Sequence, residues 1–366
     1  MRIFFVFISI IFLIKGVLMS AELKFIEIEG VEVPVIFEHS ANIPIVNLQL
    51  IFRDSGSIDD GSKAGLAKLS SLIMGEGTKK DGSSGFAEKL ESRAINLSVG
   101  SGIETLYIDY SSLKDQFKTG TKLIAELLKD PNLTKETLEK VKERQIGKLL
   151  SKESDFDYIA NQNLTKMLFD HTPIGYPVSG TIESIKGVEL KDVKEFLDSH
   201  LTLKRVIVLA GGDIEFEELK KSVAPILKLL KKGKKFESPF FEASKEPKTE
   251  EIDKKTEQAY IYFGSPLYVK PNDENFYKAK IAAFILGSSG FGSRIMEEIR
   301  VKRGLAYSAY MRFNVHKSHS YAFGYLQTKL ESQDEAISVV KETVKEFIAK
   351  GVTQKELDDA KKFILG

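Results

Sequence analysis

The sequence predicts an α+β fold of two homologous α/β sandwich units, each a mixed, largely antiparallel sheet packed by helices, the second of them truncated. Three observations support this prediction. The chain has 366 residues, more than one core ordinarily holds; residues 232–256 lose the apolar pattern; and a segment of the first half recurs in the second. We therefore expect a signal peptide at 1–21, an N-terminal domain at 22–231, a linker at 232–256 and a C-terminal domain at 257–366.

The first residues match a secretory signal peptide. Arg2 precedes twelve uncharged residues, 3–14, that are apolar except for Ser9, and small residues follow near Ala21. This run is short for a bilayer span, and Lys15 interrupts it. We expect a periplasmic protein of a bacterium, secreted across the inner membrane and not stably inserted in it after cleavage; an uncleaved N-terminal anchor is the alternative.

Charge and cysteine content exclude several classes of function. The formal net charge is +1 with 29% charged residues, and no basic patch interleaved with aromatic residues stands out, so nucleic acid is not an expected partner. The chain has no cysteine, which excludes disulfides and thiolate metal sites.

In the first unit, alternating apolar residues predict strands and apolar residues at helical spacing predict helices. A hairpin is expected at 24–37, turning at Glu29-Gly30, and Thr134 is expected to cap a helix. The other expected strands are 46–52, 95–99, 106–111 and 205–212, and the expected helices are 63–74, 85–93, 114–129, 135–150, 158–168, 188–200 and 219–230.

An internal repeat relates the two units. Residues 134–147 align without a gap on residues 353–366; each segment begins with a threonine suited to cap a helix, and each follows an amphipathic helix. In the first unit a further strand and helices come after this point, whereas the second unit has no counterpart of them. We therefore expect the second domain to be incomplete.

The second unit begins with a strand from Ala259 and a helix over 276–286, followed by a stretch, 287–313, that changes character twice. It opens with a glycine-rich loop, Ser293 is placed to cap a helix, and Arg303-Gly304 is typical of a helix end. A strand is expected to follow, with Tyr307 on the same face as Ala309. The short turn can bring the side chains of Arg300 and Tyr307 together.

Two interpretations of this pair stay open on the residues alone. Arginine and tyrosine both donate hydrogen bonds, so Arg300 and Tyr307 could hold a carbonyl oxygen as it becomes an oxyanion. Alternatively, Arg300 pairs with Glu297 on a solvated helix face, and Tyr307 is a half-buried strand residue.

Residues 65–78, GLAKLSSLIMGEGT, resemble the zinc-site helix of the insulinase-like M16 metallopeptidase family. Active members carry G-L-A-H-x-x-E-H followed by a G-T pair. The two histidine positions fall on Lys68 and Leu72, the glutamate falls on Ser71, and the family's third ligand, a later glutamate, falls at or next to Lys148. These side chains cannot hold zinc, so the resemblance implies no metal or other cofactor on this chain.

Further segments carry the same resemblance: residues 172–181, residues 205–212 and the glycine-rich loop with Gly290, Phe291 and Gly292. Arg300 and Tyr307 fall on the family's substrate-binding Arg/Tyr pair. The resemblance implies a clamshell of two domains. In two-chain members, one subunit keeps the zinc and the other keeps the Arg/Tyr pair, so it also implies a partner with an intact H-x-x-E-H motif and peptides or unfolded polypeptides as substrates.

The leading hypothesis is a non-catalytic, substrate-binding subunit of a heterodimeric zinc peptidase. A stand-alone peptide-binding or structural clamshell is the alternative, and a self-sufficient peptidase is a third. Other candidate sites are weaker. Ser70-Ser71 lacks a nucleophile elbow, the glycine-rich loop lacks the ending of a phosphate-binding loop, and His316 and His319 are expected on opposite faces of an extended segment.

Overall fold

The computed structural model describes residues 21–366. The predicted signal peptide therefore lies outside the described residues, except for Ala21. Within 21–366, no helix is long and apolar enough to cross a membrane.

A six-stranded mixed sheet organises the first half, with the strand order β1-β2-β6-β3-β5-β4. Strands β2 and β6 pair in parallel, and the other neighbours pair antiparallel. The predicted hairpin turn is confirmed, because Glu29 and Gly30 join β1 to β2 with φ angles of 50° and 71°. The strands are β1 Glu22–Ile28, β2 Val31–His39, β3 Ile45–Arg53, β4 Asn96–Ser101, β5 Thr105–Leu113 and β6 Val206–Gly212.

Helices cover one face of this sheet. Alternate strand residues such as Val35, Leu50 and Ile108 point into a core that also takes Leu69 from the first helix and Ile124 from the third. The predicted cap is confirmed, since the Thr134 side chain accepts a hydrogen bond from Thr137 N. The helices are α1 Leu66–Met74, α2 Gly82–Glu91, α3 Phe117–Lys129, α4 Lys135–Lys152, α5 Phe156–Phe169, α6 Ile182–Gly187, α7 Leu190–His200 and α8 Phe216–Leu227.

The second half has a four-stranded sheet. Strand β10 lies at its centre, antiparallel to β8 on one side and to β9 on the other, while β7 pairs in parallel with the start of β10. The elements are β7 Phe241–Glu242, β8 Gln258–Pro266, α9 Phe276–Ala283, α10 Arg294–Met296, β9 Ala306–Val315, β10 His319–Lys329, α11 Gln333–Lys350 and α12 Gln354–Leu365. The repeat extends to local structure, because Thr353 caps α12 as Thr134 caps α4.

Several contacts join the two halves. The Tyr262 hydroxyl on β8 donates to Asp157 on α5 at 3.1 Å, and the Ser318 hydroxyl before β10 donates to Glu104 at 2.6 Å. A third apolar cluster fills the space between them and includes Ile58, Leu164, Leu168, Phe169, Ile174 and Ala243. Ala243 and β7 fall inside the stretch predicted as a linker, so part of that stretch is paired and buried.

The expectation for the two histidines is wrong. His316 and His319 do not lie on one extended segment, because the chain reverses between β9 and β10, and His316 N donates to His319 O at 2.9 Å. The turn stacks the two rings with centroids 4.6 Å apart. Burial among apolar neighbours, and then the nearby His316, lowers the pKa of His319 to about 4.

Candidate functional site

The glycine-rich loop leads into the segment that carries Arg300. Gly290 and Gly292 have φ angles of 70° and 93°, a left-handed conformation that residues with a Cβ adopt only at a cost. Ser293 then caps α10, as predicted, by accepting a hydrogen bond from Met296 N. Arg294 ties the start of this helix to α12 through Glu356, with N···O distances of 2.6 and 2.8 Å.

Helix α10 continues as a π-helical turn over Glu297–Val301. Ile295 and Ile299 are fully buried on its inner side, which leaves Arg300 directed away from the core. The wider turn is marked by a hydrogen bond from Lys302 N to Glu297 O at 3.0 Å. Turns of this kind are uncommon and occur frequently at functional sites.

A β-bulge decides where Tyr307 points. Ala306 pairs with Thr328 and Ala309 pairs with Leu326, so β9 has one more residue than β10 between these two pairs. Ala306 and Ala309 are both buried, and Tyr307 is 82% exposed. The expectation that Tyr307 shares a face with Ala309, and that it could be a half-buried strand residue, is therefore wrong, because strict alternation fails at a bulge.

The guanidinium of Arg300 lies between two aromatic rings. Its Cζ is 4.3 Å from the ring centroid of Tyr307 and 4.6 Å from that of Phe291, which is 66% exposed in the glycine-rich loop. Stacking of this kind orients a guanidinium while leaving its edge free to donate hydrogen bonds. The structure thus brings Arg300 and Tyr307 together, and it adds Phe291 as a contact that the sequence did not indicate.

Arg300 does not form the surface ion pair considered from the sequence. The adjacent carboxylate, Glu298, pairs with Lys302 and Arg303. Among the ion pairs of residues 21–366, none includes Arg300 or Glu297. The arginine is therefore held by rings rather than by a carboxylate, and its positive charge is not neutralised within the described chain.

The positions that resemble a zinc site lie on α1 and α4. Lys68, Ser71 and Leu72 belong to α1, and Lys148 lies on the neighbouring helix α4. Burial, and then the charge of Lys148, lowers the pKa of Lys68. The fully buried Ser71 donates to Lys68 O at 2.8 Å, and its hydroxyl is 3.4 Å from that of Ser101.

These residues do not fit a zinc ion. A protonated lysine has no lone pair to offer, and leucine has no donor atom, so at most one weak hydroxyl ligand remains. Across residues 21–366, no group of three histidine, cysteine, aspartate or glutamate side chains is placed to hold a metal. Nor does Ser71 contact a histidine that could act as its base.

The structure does not join the two groups of predicted site residues. Arg300 contacts Tyr307 and Phe291 in the second half, and in the first half the charge of Lys148 lowers the pKa of Lys68, after the larger effect of burial. No hydrogen bond, ion pair or aromatic contact of the described residues links one group to the other. Each group is therefore a separate feature of this chain.

The face of the first sheet that the helices leave uncovered holds an open depression of about 770 Å³. Polar side chains from several strands line it, among them Glu38, Gln49 and Asp109. The amide of Gln49 donates to the carboxylate of Asp109 across β3 and β5. Apolar residues such as Ile36, Leu97 and Leu209 also line it, and a concave face of this size and mixed character could accommodate a short peptide.

Comparison with known proteins identifies relatives of both halves. A family model described as insulinase (peptidase family M16) matches residues 34–182, and one described as the peptidase M16 inactive domain matches residues 187–364. A Helicobacter pylori protein described as non-peptidase homolog YmxG is 44% identical over 360 residues, covering 98% of this chain and 83% of that protein. A Bacillus subtilis protein described as uncharacterized zinc protease YmxG is 26% identical over 212 residues, covering 57% of this chain and 50% of that protein.

Solved structures confirm the predicted fold. A crystal structure of a peptidase M16 inactive domain from Pseudomonas fluorescens superposes with a TM-score of 0.85 at 25% identity, covering 94% of this chain and 84% of that one. A protease from Helicobacter pylori gives a TM-score of 0.81 with the same coverages, and at 16% identity it shows the fold alone.

Proposed function

This chain belongs to the insulinase family, peptidase family M16, and we propose that it is the non-catalytic, substrate-binding subunit of a heterodimeric zinc peptidase. One observation carries the proposal: the half-buried Arg300 stacks on the exposed Tyr307 in a chain whose zinc-site positions carry Lys68, Leu72 and Lys148. The similarity to a protein described as a non-peptidase homolog supports the same conclusion.

In the proposed complex, Arg300 and Tyr307 hold the peptide rather than cleave it. The guanidinium edge and the phenol hydroxyl donate hydrogen bonds to a peptide carbonyl oxygen, and the bonds strengthen as that oxygen gains negative charge. Phe291 and the ring of Tyr307 fix the plane of the guanidinium beforehand, so little side-chain entropy is lost on binding. Hydrolysis belongs to the partner, a relative with an intact H-x-x-E-H motif.

The predicted location completes the proposal. A signal peptide at 1–21 would deliver the chain to the periplasm, where its partner would also have to be exported. Two subunits of this fold that face each other could enclose a chamber, which favours small or unfolded peptides as substrates.

The test is cleavage of a quenched fluorescent peptide by the mature chain, alone and mixed with an H-x-x-E-H relative from the same organism, with and without a chelator. We expect activity that is highest in the mixture and that the chelator abolishes. Chelator-sensitive cleavage by the chain alone would contradict the assignment, because the residues on α1 and α4 do not fit zinc.

A stand-alone peptide-binding clamshell is the second candidate, favoured by the open depression of about 770 Å³ on the first sheet. It requires no second chain. Peptide binding by the chain alone, with no gain in cleavage on addition of the relative, would support this candidate over the heterodimer.

A further inference from the structure

The packing of α1 against α4 places two lysines where the resemblance locates a metal. Glu76, buried near the end of α1, pairs with Arg144 at 2.6 Å and with Lys140 at 3.3 Å on α4. Residues four apart share a helix face, so Lys148 continues the row begun by Lys140 and Arg144. Lys68 lies about two turns before Glu76. Gln145 on α4 donates to Ser179 O at 2.9 Å, and the next residue, Gly180, packs against Gly65 at the start of α1. Helix α4 therefore runs from the end of α1 towards its start, and Lys148 lies on the part of α4 nearest Lys68.

Glu76 neutralises the first two cations of this row, but the last has no acidic partner. No ion pair or side-chain hydrogen bond among residues 21–366 includes the ammonium of Lys68 or of Lys148. Lys68 is half-buried, and burial, followed by the charge of Lys148, lowers the pKa of Lys68. Two neighbouring ammonium groups repel each other, and an anion between them relieves that repulsion.

The surroundings leave room for a small anion. Lys148 is exposed, and the preceding residue, Gly147, has open space where a side chain would be. A carboxylate matches this arrangement, since its two oxygens can each accept from one ammonium.

We infer that Lys68 and Lys148 form an anion site that takes a carboxylate of a bound peptide, either its C-terminus or an acidic side chain. The identity of the ligand as a peptide rests on the proposed function; the anion site itself rests on the geometry of α1 and α4. The anion site then favours peptides that carry a carboxylate, and it lies where the resemblance locates a metal.

The first experiment tests the anion site without any peptide. The rate at which an amine-reactive reagent labels Lys68 is measured by mass spectrometry in acetate and in chloride at equal ionic strength. A bound carboxylate favours the unreactive ammonium, so we expect labelling of Lys68 to be slower in acetate by about threefold. In Lys148→Gln, Lys68 should be labelled at the same rate in acetate and in chloride. Lys152→Gln is the control, because it also removes one positive charge from α4, one turn further along, where Lys152 pairs with Asp155. In this control the slower labelling of Lys68 in acetate should persist.

The second experiment identifies the source of the carboxylate. Three peptides of one neutral sequence are compared by calorimetry: a free C-terminal acid, its amide, and the amide with one internal glutamate. We expect the acid or the glutamate peptide to bind about tenfold more tightly than the plain amide, and the Lys68→Gln/Lys148→Gln double variant to remove that preference. Arg300→Ala should weaken binding of all three and leave their ratio unchanged.

These outcomes separate the inference from the proposed function. Equal labelling of Lys68 in acetate and chloride overturns the anion site, whether or not any peptide binds. A preference for carboxylate that survives in the double variant overturns it as well. Labelling protected by acetate, together with no peptide binding at all, would keep the anion site and contradict the proposed function instead.

Discussion

On α1 and α4 the residues at the zinc-site positions do not fit a metal, whereas between α10 and β9 the half-buried Arg300 stacks on the exposed Tyr307. Both regions lie on well-packed elements, since Leu69 and Ile299 are fully buried in their respective cores. Poor folding therefore does not explain why the residues on α1 and α4 do not fit a metal. Both regions are well packed, and they differ in the chemistry of the side chains at the positions of the resemblance.

Under the proposed function, this difference corresponds to a division of binding and hydrolysis between two chains of one fold. The segment from the glycine-rich loop to the start of β9, which carries Arg300 and Tyr307, is called the retained region. It contains left-handed glycines, a π-helical turn and a bulge, backbone features that would be costly to keep without a use. The facing parts of α1 and α4 are called the vacated region. It keeps both helices, but the positions that resemble the family's zinc site carry lysine, serine and leucine. Substitutions in each region test this contrast.

The largest effect on stability is expected at the ion pair of Arg294 and Glu356, which anchors the retained region to α12. The hydrogen bond from Arg294 lowers the pKa of Glu356 to about 2, so the ion pair stabilises the fold fully above the ordinary pKa of about 4.5 and is lost as the pH falls toward 2. Glu356→Gln should reduce the free energy of unfolding at neutral pH by about 2 kcal/mol, a figure reduced for partial exposure. It should also flatten the pH dependence between 4.5 and 2.

Thermal and urea unfolding across that pH range measure this effect. Glu331→Gln is the control, because Glu331 forms an exposed ion pair with Lys329 and is not among the charges that act on Arg294. If both variants showed the same pH dependence, Arg294 and Glu356 would not be the anchor of this loop.

The next effect concerns the hydroxyl of Tyr307. Tyr307→Phe keeps the ring over Arg300 and removes one hydrogen-bond donor, so we expect kcat/KM of the mixed enzyme to fall about tenfold. Tyr310→Phe, on the same strand, is the control and should have little effect. An unchanged rate for Tyr307→Phe would mean that the phenol does not touch the substrate.

A smaller loss is expected from Phe291, which we assign as a positioning residue. Phe291→Ala removes one of the two rings that hold Arg300, and kcat/KM should fall about fivefold. Because Arg300 is then less well oriented, the loss should appear in kcat more than in KM, and Phe291→Tyr should restore it. An effect on KM alone would indicate instead that Phe291 only contacts the substrate.

The smallest effect tests the vacated region. Lys68→Met removes a half-buried charge that faces Lys148 and should raise the free energy of unfolding by about 0.5 to 1 kcal/mol. Lys152→Met is the control, since Lys152 pairs with Asp155 and gains nothing from the change. A loss of stability in Lys68→Met would show that the lysine is structural.

The sequence predicted the two-unit fold because alternation, helical spacing and the repeat are local patterns that the core reinforces. It also predicted the caps at Thr134 and Ser293 and the proximity of Arg300 and Tyr307. It failed on the direction of Tyr307, because a bulge depends on the register with β10, a strand that follows later in the chain.

Two further contacts could not be predicted from local sequence patterns. The stack of Phe291 on Arg300 depends on the path of a loop with left-handed glycines, and its only signal was an aromatic residue between two glycines. The approach of His316 to His319 depends on a chain reversal at two residues that do not form a common turn sequence.

The most direct measurement of the central claim is kcat/KM of the mixed enzyme with Arg300→Ala, beside a measurement of complex formation by analytical ultracentrifugation. Arg312→Ala is the matched control, because Arg312 lies on β9 and stacks on Tyr310 at 4.6 Å in a similar way. We predict a loss of about 100-fold or more for Arg300→Ala with assembly intact, and little change for Arg312→Ala. Normal turnover in Arg300→Ala would contradict the assigned role of the pair.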